Sequence, residues 1–160
     1  FEERFEGWEM DSLDESLARV ITRSRGAHSG KRYLRLRKDA DSTVSHVWQR
    51  LFDKYNIPWG SRLMISAWVR VDEIKRPDAF QKASLRDELL GSEDENLHNE
   101  MSSLSMPVRS WKRLVSFVDI PRREEMEALE VIKVSLQVYG KVGSSETVYW
   151  DDVELAIITR

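Results

Sequence analysis

The chain has 160 residues, which is long enough for one domain with its own hydrophobic core. Its 25 basic and 28 acidic residues give a net charge of −3, so the charge balance does not call for a nucleic acid or an anionic membrane as partner. No cysteine is present, which excludes disulfides and thiolate metal sites, and no apolar run is long enough to span a membrane. We predict a single domain over residues 1–160.

The first half of the chain contains four candidate strands. Residues 17–25 hold a short apolar patch that suits a strand better than a helix. Residues 33–37 alternate strictly between polar and apolar side chains, and residues 44–52 show a similar alternation. Residues 63–71 give the clearest signal, with an apolar residue at every second position.

The alternation dissolves between residues 72 and 108, which we predict to be a long polar insertion or loop region. Within it, residues 80–90 fit either a short helix or an irregular strand, and residues 101–106 fit an edge strand. Alternation returns at residues 111–120 and 132–139. Short strands separated by turn signals, without a long amphipathic helix, predict an all-β fold of the sandwich type.

The last segment, residues 148–155, has the pattern of a strand that is interrupted by two adjacent carboxylates, Asp151 and Asp152. Adjacent acids in a core strand are costly unless something positive meets them. The sequence leaves two explanations open. Either the pair binds a cation, or it pairs with arginine or lysine or faces solvent at a bulge.

Short motifs follow one another along the chain in a characteristic order. They are Phe1-Glu2, Gly7-Trp8, Ser29-Gly30-Lys31, Trp59-Gly60, Ile65-Ser66-Ala67-Trp68-Val69-Arg70, Trp111-Lys112-Arg113-Leu114 and Tyr149-Trp150-Asp151-Asp152-Val153-Glu154-Leu155. This order resembles the jelly-roll carbohydrate-binding modules of families 4, 9, 16 and 22, within the galactose-binding-like superfamily. The resemblance spans the chain outside residues 72–108 and implies an antiparallel β-sandwich with jelly-roll topology.

Modules of this kind commonly hold a structural calcium ion between the N-terminal segment and the last strand. The resemblance therefore implies Glu2 and one of Asp151 or Asp152 as side-chain ligands, with backbone carbonyl groups near Gly30 and Lys31 completing the site. Calcium requires several hard oxygen ligands, and such a set would join two ends of the chain that otherwise fray.

A carbohydrate site needs an aromatic platform beside planar hydrogen-bonding side chains. Three outward strand faces meet this requirement, and together they contain six predicted ligand-binding residues: Trp68, Arg70, Gln137, Tyr139, Trp48 and Arg50. Successive strands of a jelly roll usually belong to opposite sheets, so the three faces cannot all line one groove. We favour Trp68 together with Gln137 and Tyr139.

The tryptophans also have structural interpretations. Trp8 and Trp111 occupy positions at which the family packs aromatic residues under the sheet, so we predict them in the core. Trp150 alternates with Asp151 and fits a core position as well. A tryptophan on the second face of a sheet often covers a neighbouring loop, and for Trp68 that loop would be the segment 72–108.

We predict a non-catalytic module that binds a polysaccharide or oligosaccharide and belongs to a larger extracellular, periplasmic or cell-surface protein with neighbouring domains. The sequence has no Gly-x-Ser-x-Gly elbow, no His-Glu-x-x-His motif and no phosphate-binding glycine loop. The alternative is a galactose-binding-like structural or protein-interaction domain without a sugar site, because this superfamily supports many functions.

One stretch is locally basic. Residues 19–38 hold eight arginine and lysine side chains around Tyr33. Such a stretch is typical of edge strands, where positive charge discourages unwanted pairing. It would also suit an acidic polysaccharide such as a uronic-acid polymer, because guanidinium groups bind carboxylates in a bidentate manner. The overall acidity makes nucleic acid the weaker option.

Overall fold

A computed structural model describes residues 7–10, 16–23, 26–52, 55–71, 82–104, 108–144 and 146–158, with the backbone only for Lys82 and Val108. In these ranges the chain forms two antiparallel sheets of five strands each and two short 3-10 turns. The predicted antiparallel β-sandwich is confirmed. None of the helical turns in the described ranges is long and apolar enough to cross a membrane.

The strands are named in chain order. They are β1 Glu9–Met10, β2 Ala18–Thr22, β3 Arg32–Arg37, β4 Val44–Arg50, β5 Arg62–Val71, β6 Lys82–Leu90, β7 Asn96–Leu104, β8 Val108–Asp119, β9 Val131–Tyr139 and β10 Thr147–Ile158, and the 3-10 turns span Ser92–Asp94 and Arg123–Glu125. Sheet A has the order β1-β4-β9-β6-β7, and sheet B has the order β2-β3-β10-β5-β8.

The core lies between the two sheets, because each strand turns its apolar positions inward. On sheet A these positions include Leu85 and Leu136, and on sheet B they include Leu34 and Ile65, all essentially inaccessible to solvent. Trp150 of β10 is also fully buried, as predicted. Fully burying a leucine or isoleucine side chain contributes about 1.5–3 kcal/mol, so these inward positions stabilise the packing of the two sheets.

Within residues 72–108, predicted as a long polar insertion or loop region, the described part forms two strands, and of the two alternatives for residues 80–90 the structure has the strand. The segment 82–90 is the strand β6, which lies inside sheet A between β9 and β7, and β7 follows after one 3-10 turn. The inward face of β6 contains Asp87 among its apolar residues, and its outward face is polar, which conceals the alternation in the sequence. Residues 72–81 and 105–107 lie outside the described ranges.

Strand β7 is an edge strand, as predicted for residues 101–106, although it begins earlier, at Asn96. Most of its side chains are exposed, which is usual for a strand that pairs on one side only. Its pairing with β6 runs from Ala83 opposite Leu104 to Leu90 opposite Asn96. The consequence is a sheet A that is wider than the sequence indicates.

Candidate functional site

The outward side of sheet A brings together polar and aromatic side chains from three adjacent strands. In one register row Trp48 of β4 lies opposite Ser135 of β9, which lies opposite Arg86 of β6. The rows beside it have the same alternation. We call this surface the A face and define it by His46, Trp48, Arg50, Lys133, Ser135, Gln137, Tyr139, Ser84, Arg86 and Glu88.

Four of the six predicted ligand-binding residues lie on the A face, because β4 and β9 are neighbours. Trp48 and Arg50 come from β4, and Gln137 and Tyr139 come from β9. The Tyr139 hydroxyl donates a hydrogen bond of 2.6 Å to Gln137 Oε1, which fixes the orientation of both side chains. An aromatic platform and an oriented amide therefore share one surface.

Trp48 is half-buried and lies beside two cations. The Arg50 guanidinium carbon is 5.6 Å from the centroid of the Trp48 ring, and Lys133 Nζ is 5.0 Å from it. Both distances are within the range of a cation–π interaction. The indole is thus held between long, flexible side chains that a ligand can contact or displace.

An ionic network that the sequence does not indicate crosses the same surface. Glu88 is only 8% exposed. Its Oε1 lies 2.9 Å from Arg86 Nη2, and its Oε2 lies 3.6 Å from Lys133 Nζ. Arg86 and Glu88 belong to β6, and because the sequence leaves residues 80–90 open between a short helix and an irregular strand, the outward side chains of this strand are absent from the predicted site. The alternation of Ser84, Arg86 and Glu88 with Ala83, Leu85 and Leu89, broken only at Asp87, is the signal that could have found them.

The A face also contains polar atoms that are buried without a partner. Ser84 Oγ, Ser135 Oγ and Arg86 Nε accept or donate no hydrogen bond within the described part of the chain. Buried polar atoms in proteins are nearly always hydrogen-bonded, and leaving one unpaired costs about 1–3 kcal/mol. Ligand hydroxyl groups or water can supply the missing partners.

The structure places Trp68 and Arg70 elsewhere. Both lie on the outward side of β5 in sheet B, whereas Gln137 and Tyr139 lie on β9 in sheet A. The favoured combination of Trp68 with Gln137 and Tyr139 is therefore wrong. The reason is a long-range pairing that local alternation does not reveal, since β9 pairs with β4 and β6 rather than with β5.

Trp68 is covered by the segment 26–30. The His28 imidazole stacks on the Trp68 indole with a centroid separation of 3.8 Å and an interplanar angle of 16°. The ring face that a sugar would need is occupied by the protein itself. The stack favours the structural interpretation of Trp68, with the segment 26–30 as the loop in contact, and the predicted cover by residues 72–81 and 105–107 lies outside the described ranges.

Arg70 holds the same segment in place. Its Nη1 donates to the Gly26 carbonyl at 2.9 Å, and Trp111 Nε1 donates to the same oxygen at 3.2 Å. The guanidinium carbon also lies 4.8 Å from the Tyr149 ring centroid and 5.1 Å from that of Trp111. Trp111 therefore belongs to an aromatic cluster on the outer side of sheet B, and its predicted place in the core is wrong.

Asp151 and Asp152 lie against the segment 26–30. Asp151 is 1% exposed, and its Oδ2 accepts from the backbone N–H of His28 at 2.8 Å. Asp152 lies at a β-bulge and has a backbone φ of 43°. Its Oδ2 lies 2.6 Å from His28 Nδ1, and its Oδ1 accepts a hydrogen bond of 2.7 Å from the Ser29 hydroxyl. The two carboxylates therefore anchor the loop to the last strand.

The two aspartates titrate in opposite directions. Burial raises the pKa of Asp151, and the backbone N–H groups of His28 and Asp152 offset only part of this effect. Burial also acts to raise the pKa of Asp152, but the hydrogen bonds from His28 and Ser29 outweigh it and hold that pKa below its usual value. The two neighbouring carboxyl groups therefore differ in their affinity for a proton.

The calcium prediction rests partly on residues outside the described ranges. Glu2 lies there, and the described residues contain no group of three or more histidine, aspartate or glutamate side chains arranged to hold a metal ion. Asp151 and Asp152 do supply carboxylate oxygens of the kind that calcium prefers. The donor chemistry fits, and the calcium ion remains a prediction.

A further carboxyl group lies in the core. Asp87 of β6 is fully buried and accepts a hydrogen bond from the Ser116 hydroxyl of β8, which links the two sheets. Burial raises its pKa to about 6, despite the opposing effect of Ser116. Its Oδ2 has no hydrogen-bond partner in the described ranges. The group is enclosed between the sheets and affects stability rather than a surface site.

No family model matches the sequence, and no curated protein matches it. Solved structures do. The CBM22-2 xylan-binding domain of Xyn10C from Paenibacillus barcinonensis is 16% identical over 96% of this chain and 92% of that chain, with a TM-score of 0.68. A family 16 carbohydrate-binding module is 14% identical over 97% and 94% of the two chains, with a TM-score of 0.62.

A third similar structure joins such a module to a catalytic domain. It is the CBM22-1–GH10 part of the Clostridium thermocellum xylanase Xyn10B in complex with xylohexaose, 14% identical, covering 98% of this chain and 27% of that chain, with a TM-score of 0.63. A cyclase from Fischerella shares the fold as well. At these identities the similarity concerns the fold: the chain has the jelly-roll sandwich of these carbohydrate-binding modules.

Proposed function

We propose that this chain is a non-catalytic carbohydrate-binding module and that the A face carries its site. The observation that supports this most strongly is the set of buried, unpartnered atoms Ser84 Oγ, Ser135 Oγ and Arg86 Nε beside Trp48, within the described part of the chain. A sugar offers an apolar C–H surface and several hydroxyl groups. It would satisfy the aromatic ring and the polar atoms at the same time.

Each strand contributes a different part of the recognition. Trp48 is the stacking platform, and Gln137, oriented by Tyr139, is the planar hydrogen-bonding group beside it. Arg86 and Glu88 supply charged donors and acceptors on the neighbouring strand. Lys133 and Arg50 border the indole, so a bound sugar ring contacts or displaces their side chains.

The first ligand class to test is xylan, because one similar structure is described as a xylan-binding domain and another contains xylohexaose. In the xylanase the module is attached to a catalytic domain. We place the present chain in the same role, in a secreted or surface protein. Tethering a partner domain to its polysaccharide raises the effective concentration of the substrate.

The proposal includes a structural calcium ion, held by Glu2 and by Asp151 or Asp152. When bound, the ion would join the N-terminal segment to the last strand. Ligands bind the native state by mass action, so calcium at a hundredfold excess over its dissociation constant would stabilise the fold by about 2.7 kcal/mol. Thermal unfolding with calcium and with a chelator tests this, and identical melting temperatures would remove calcium from the proposal.

Isothermal titration calorimetry with xylohexaose, supported by affinity gels with a panel of polysaccharides, tests the site. We expect Trp48→Ala to reduce the affinity at least tenfold while the circular dichroism spectrum is retained. The matched control is Trp59→Ala, since Trp59 is 37% exposed but lies in a turn outside the A face. Absence of binding to every polysaccharide would favour the interaction-domain alternative.

A further inference from the structure

A cavity lies on the outer side of sheet B, near the edge of the sheet formed by β2, β3 and β10. Arg19 of β2 lies opposite Arg35 of β3, which lies opposite Tyr149 of β10. These side chains, with Arg23 and Tyr33, border a cavity of about 490 Å³. Small-molecule sites typically occupy about 300–1,000 Å³, so the cavity can accept one or two sugar rings.

The positive charge of this cavity is not neutralised within the described part of the chain. Arg19, Arg23 and Arg35 form no ion pair there, and Arg35 Nε is buried without a hydrogen-bond partner. Like charges directly opposite each other on adjacent strands destabilise a sheet. The arrangement therefore has an electrostatic cost that an anionic ligand would offset.

Another arginine on the same side of sheet B provides a contrast. Arg113 Nη2 lies 2.7 Å from Glu154 Oε2 and also donates to the Ser66 hydroxyl at 2.9 Å. The charge of Arg113 is thus neutralised by a carboxylate. By contrast, Arg19, Arg23 and Arg35 form no ion pair in the described ranges.

Two tyrosines form the apolar part of the cavity wall. The rings of Tyr33 and Tyr149 meet edge to face with centroids 5.8 Å apart, and Tyr33 also contacts Trp111. The Arg70 guanidinium packs on the Tyr149 ring at 4.8 Å. The wall is therefore fixed by the aromatic cluster under the segment 26–30, and the arginines project from a rigid base.

We propose that this cavity binds a sugar that carries a carboxylate, namely a uronic acid residue of an acidic polysaccharide. Guanidinium groups recognise a carboxylate through a planar bidentate pair of hydrogen bonds, and a pyranose ring can pack on tyrosine. The choice of a sugar as carrier rests on the proposed function. The cavity itself lies on the opposite sheet from the A face, so either site can fail without the other.

The test is calorimetric titration with trigalacturonate, with galactotriose as the matched neutral sugar. We expect trigalacturonate to bind and galactotriose to bind at least tenfold more weakly. Arg35→Gln should weaken trigalacturonate binding at least tenfold. Arg19→Gln, an exposed position on an edge strand, repeats the test if the first variant does not fold. Trp48→Ala should leave this binding unchanged.

The control variant is Arg37→Gln, which changes the same charge on the same face of β3 but outside the cavity. Equal weakening by Arg37→Gln would show general charge attraction and overturn the proposal. Equal affinity for galactotriose would overturn it, and so would loss of trigalacturonate binding in Trp48→Ala. Competition by single-stranded DNA at lower concentration than trigalacturonate would reassign the cavity to nucleic acid.

Discussion

Tryptophan and arginine side chains lie on the outer surfaces of both sheets, but their contacts with the rest of the chain differ. On sheet B, Trp68, Trp111 and Arg70 are engaged by the segment 26–30 through stacking and hydrogen bonds to Gly26. On sheet A, Trp48 lies beside buried hydroxyl groups that have no partner in the described ranges. The two indoles differ in what covers them: the Trp68 ring is stacked on the His28 imidazole, whereas the Trp48 ring is bordered by the long side chains of Arg50 and Lys133.

The largest expected effect comes from truncating each of the two tryptophans in turn. Trp68→Ala removes the stack with His28 and should lower the free energy of unfolding by about 3 kcal/mol, with sugar affinity retained in the folded fraction. Trp48→Ala should change the unfolding free energy by less than about 1 kcal/mol while binding is lost. Chemical denaturation and calorimetry on both variants measure this. The reverse outcome would move the sugar site to sheet B.

The link between the two sheets gives a comparable effect that depends on pH. The pKa of Asp87 is raised to about 6 in the folded protein, against 3.8 for the free carboxyl group. The stability that the protonated group contributes is therefore fully present below about pH 4 and is lost as the pH rises through 6, a cost of about 3 kcal/mol at pH 8. Asp87→Asn should be the more stable protein at pH 8 and lose that advantage at pH 4.

Urea unfolding of wild type and Asp87→Asn at both pH values measures this difference. An asparagine at this position would still accept the hydrogen bond from the Ser116 hydroxyl, so the comparison isolates the charge. An advantage that is the same at pH 4 and pH 8 would show that the carboxyl group is not the cause.

A smaller effect is expected where the last strand holds the loop of sheet B. Asp152→Asn weakens the contacts with His28 and Ser29 and should cost about 1 kcal/mol at pH 7. The pKa of Asp152 is lower in the folded state than in the unfolded state. The contribution of its carboxylate to the free energy of unfolding is therefore present above the pKa of the unfolded state and is lost as the pH falls through the pKa of the folded state. Denaturation at neutral and strongly acidic pH, with chelator present throughout, checks the direction; a constant difference would contradict it.

The smallest effect concerns the orientation of one amide on the A face. Tyr139→Phe removes the hydroxyl that donates to Gln137 and should reduce sugar affinity about three- to tenfold without affecting the fold. Tyr55→Phe, at an exposed position away from the A face, is the matched control. Calorimetry with xylohexaose gives the result, and an unchanged affinity would remove Gln137 from the site.

The strands whose inward positions are all apolar are the ones that the sequence predicts most directly. Strands β3, β5 and β9 are read directly, because Leu34, Ile65 and Leu136 repeat at period two with their neighbours. Strand β6 is not identified as clearly, because Asp87 interrupts the apolar pattern of its inward face. A buried carboxyl group that accepts a hydrogen bond from Ser116 of the other sheet cannot be recognised from the local sequence pattern alone.

The candidate site is predictable in part, for a related reason. The sequence identifies two outward pairs, Trp48 with Arg50 and Gln137 with Tyr139. That the two pairs lie on one surface depends on the pairing of β4 with β9. Those strands are separated by a long stretch of chain, so the alternation within each one carries no information about its partner. The covering of Trp68 by His28 is likewise a tertiary contact.

The most direct measurement is the set of indole N–H resonances of the six tryptophans, followed by NMR during titration with xylohexaose. We expect the Trp48 signal to shift until the protein is saturated with xylohexaose, while the Trp68 and Trp111 signals remain in place. Assignment by single Trp→Phe variants identifies each signal. A Trp48 signal that does not move while that of Trp68 shifts, or six unchanged signals with every sugar, would contradict the assignment of the A face.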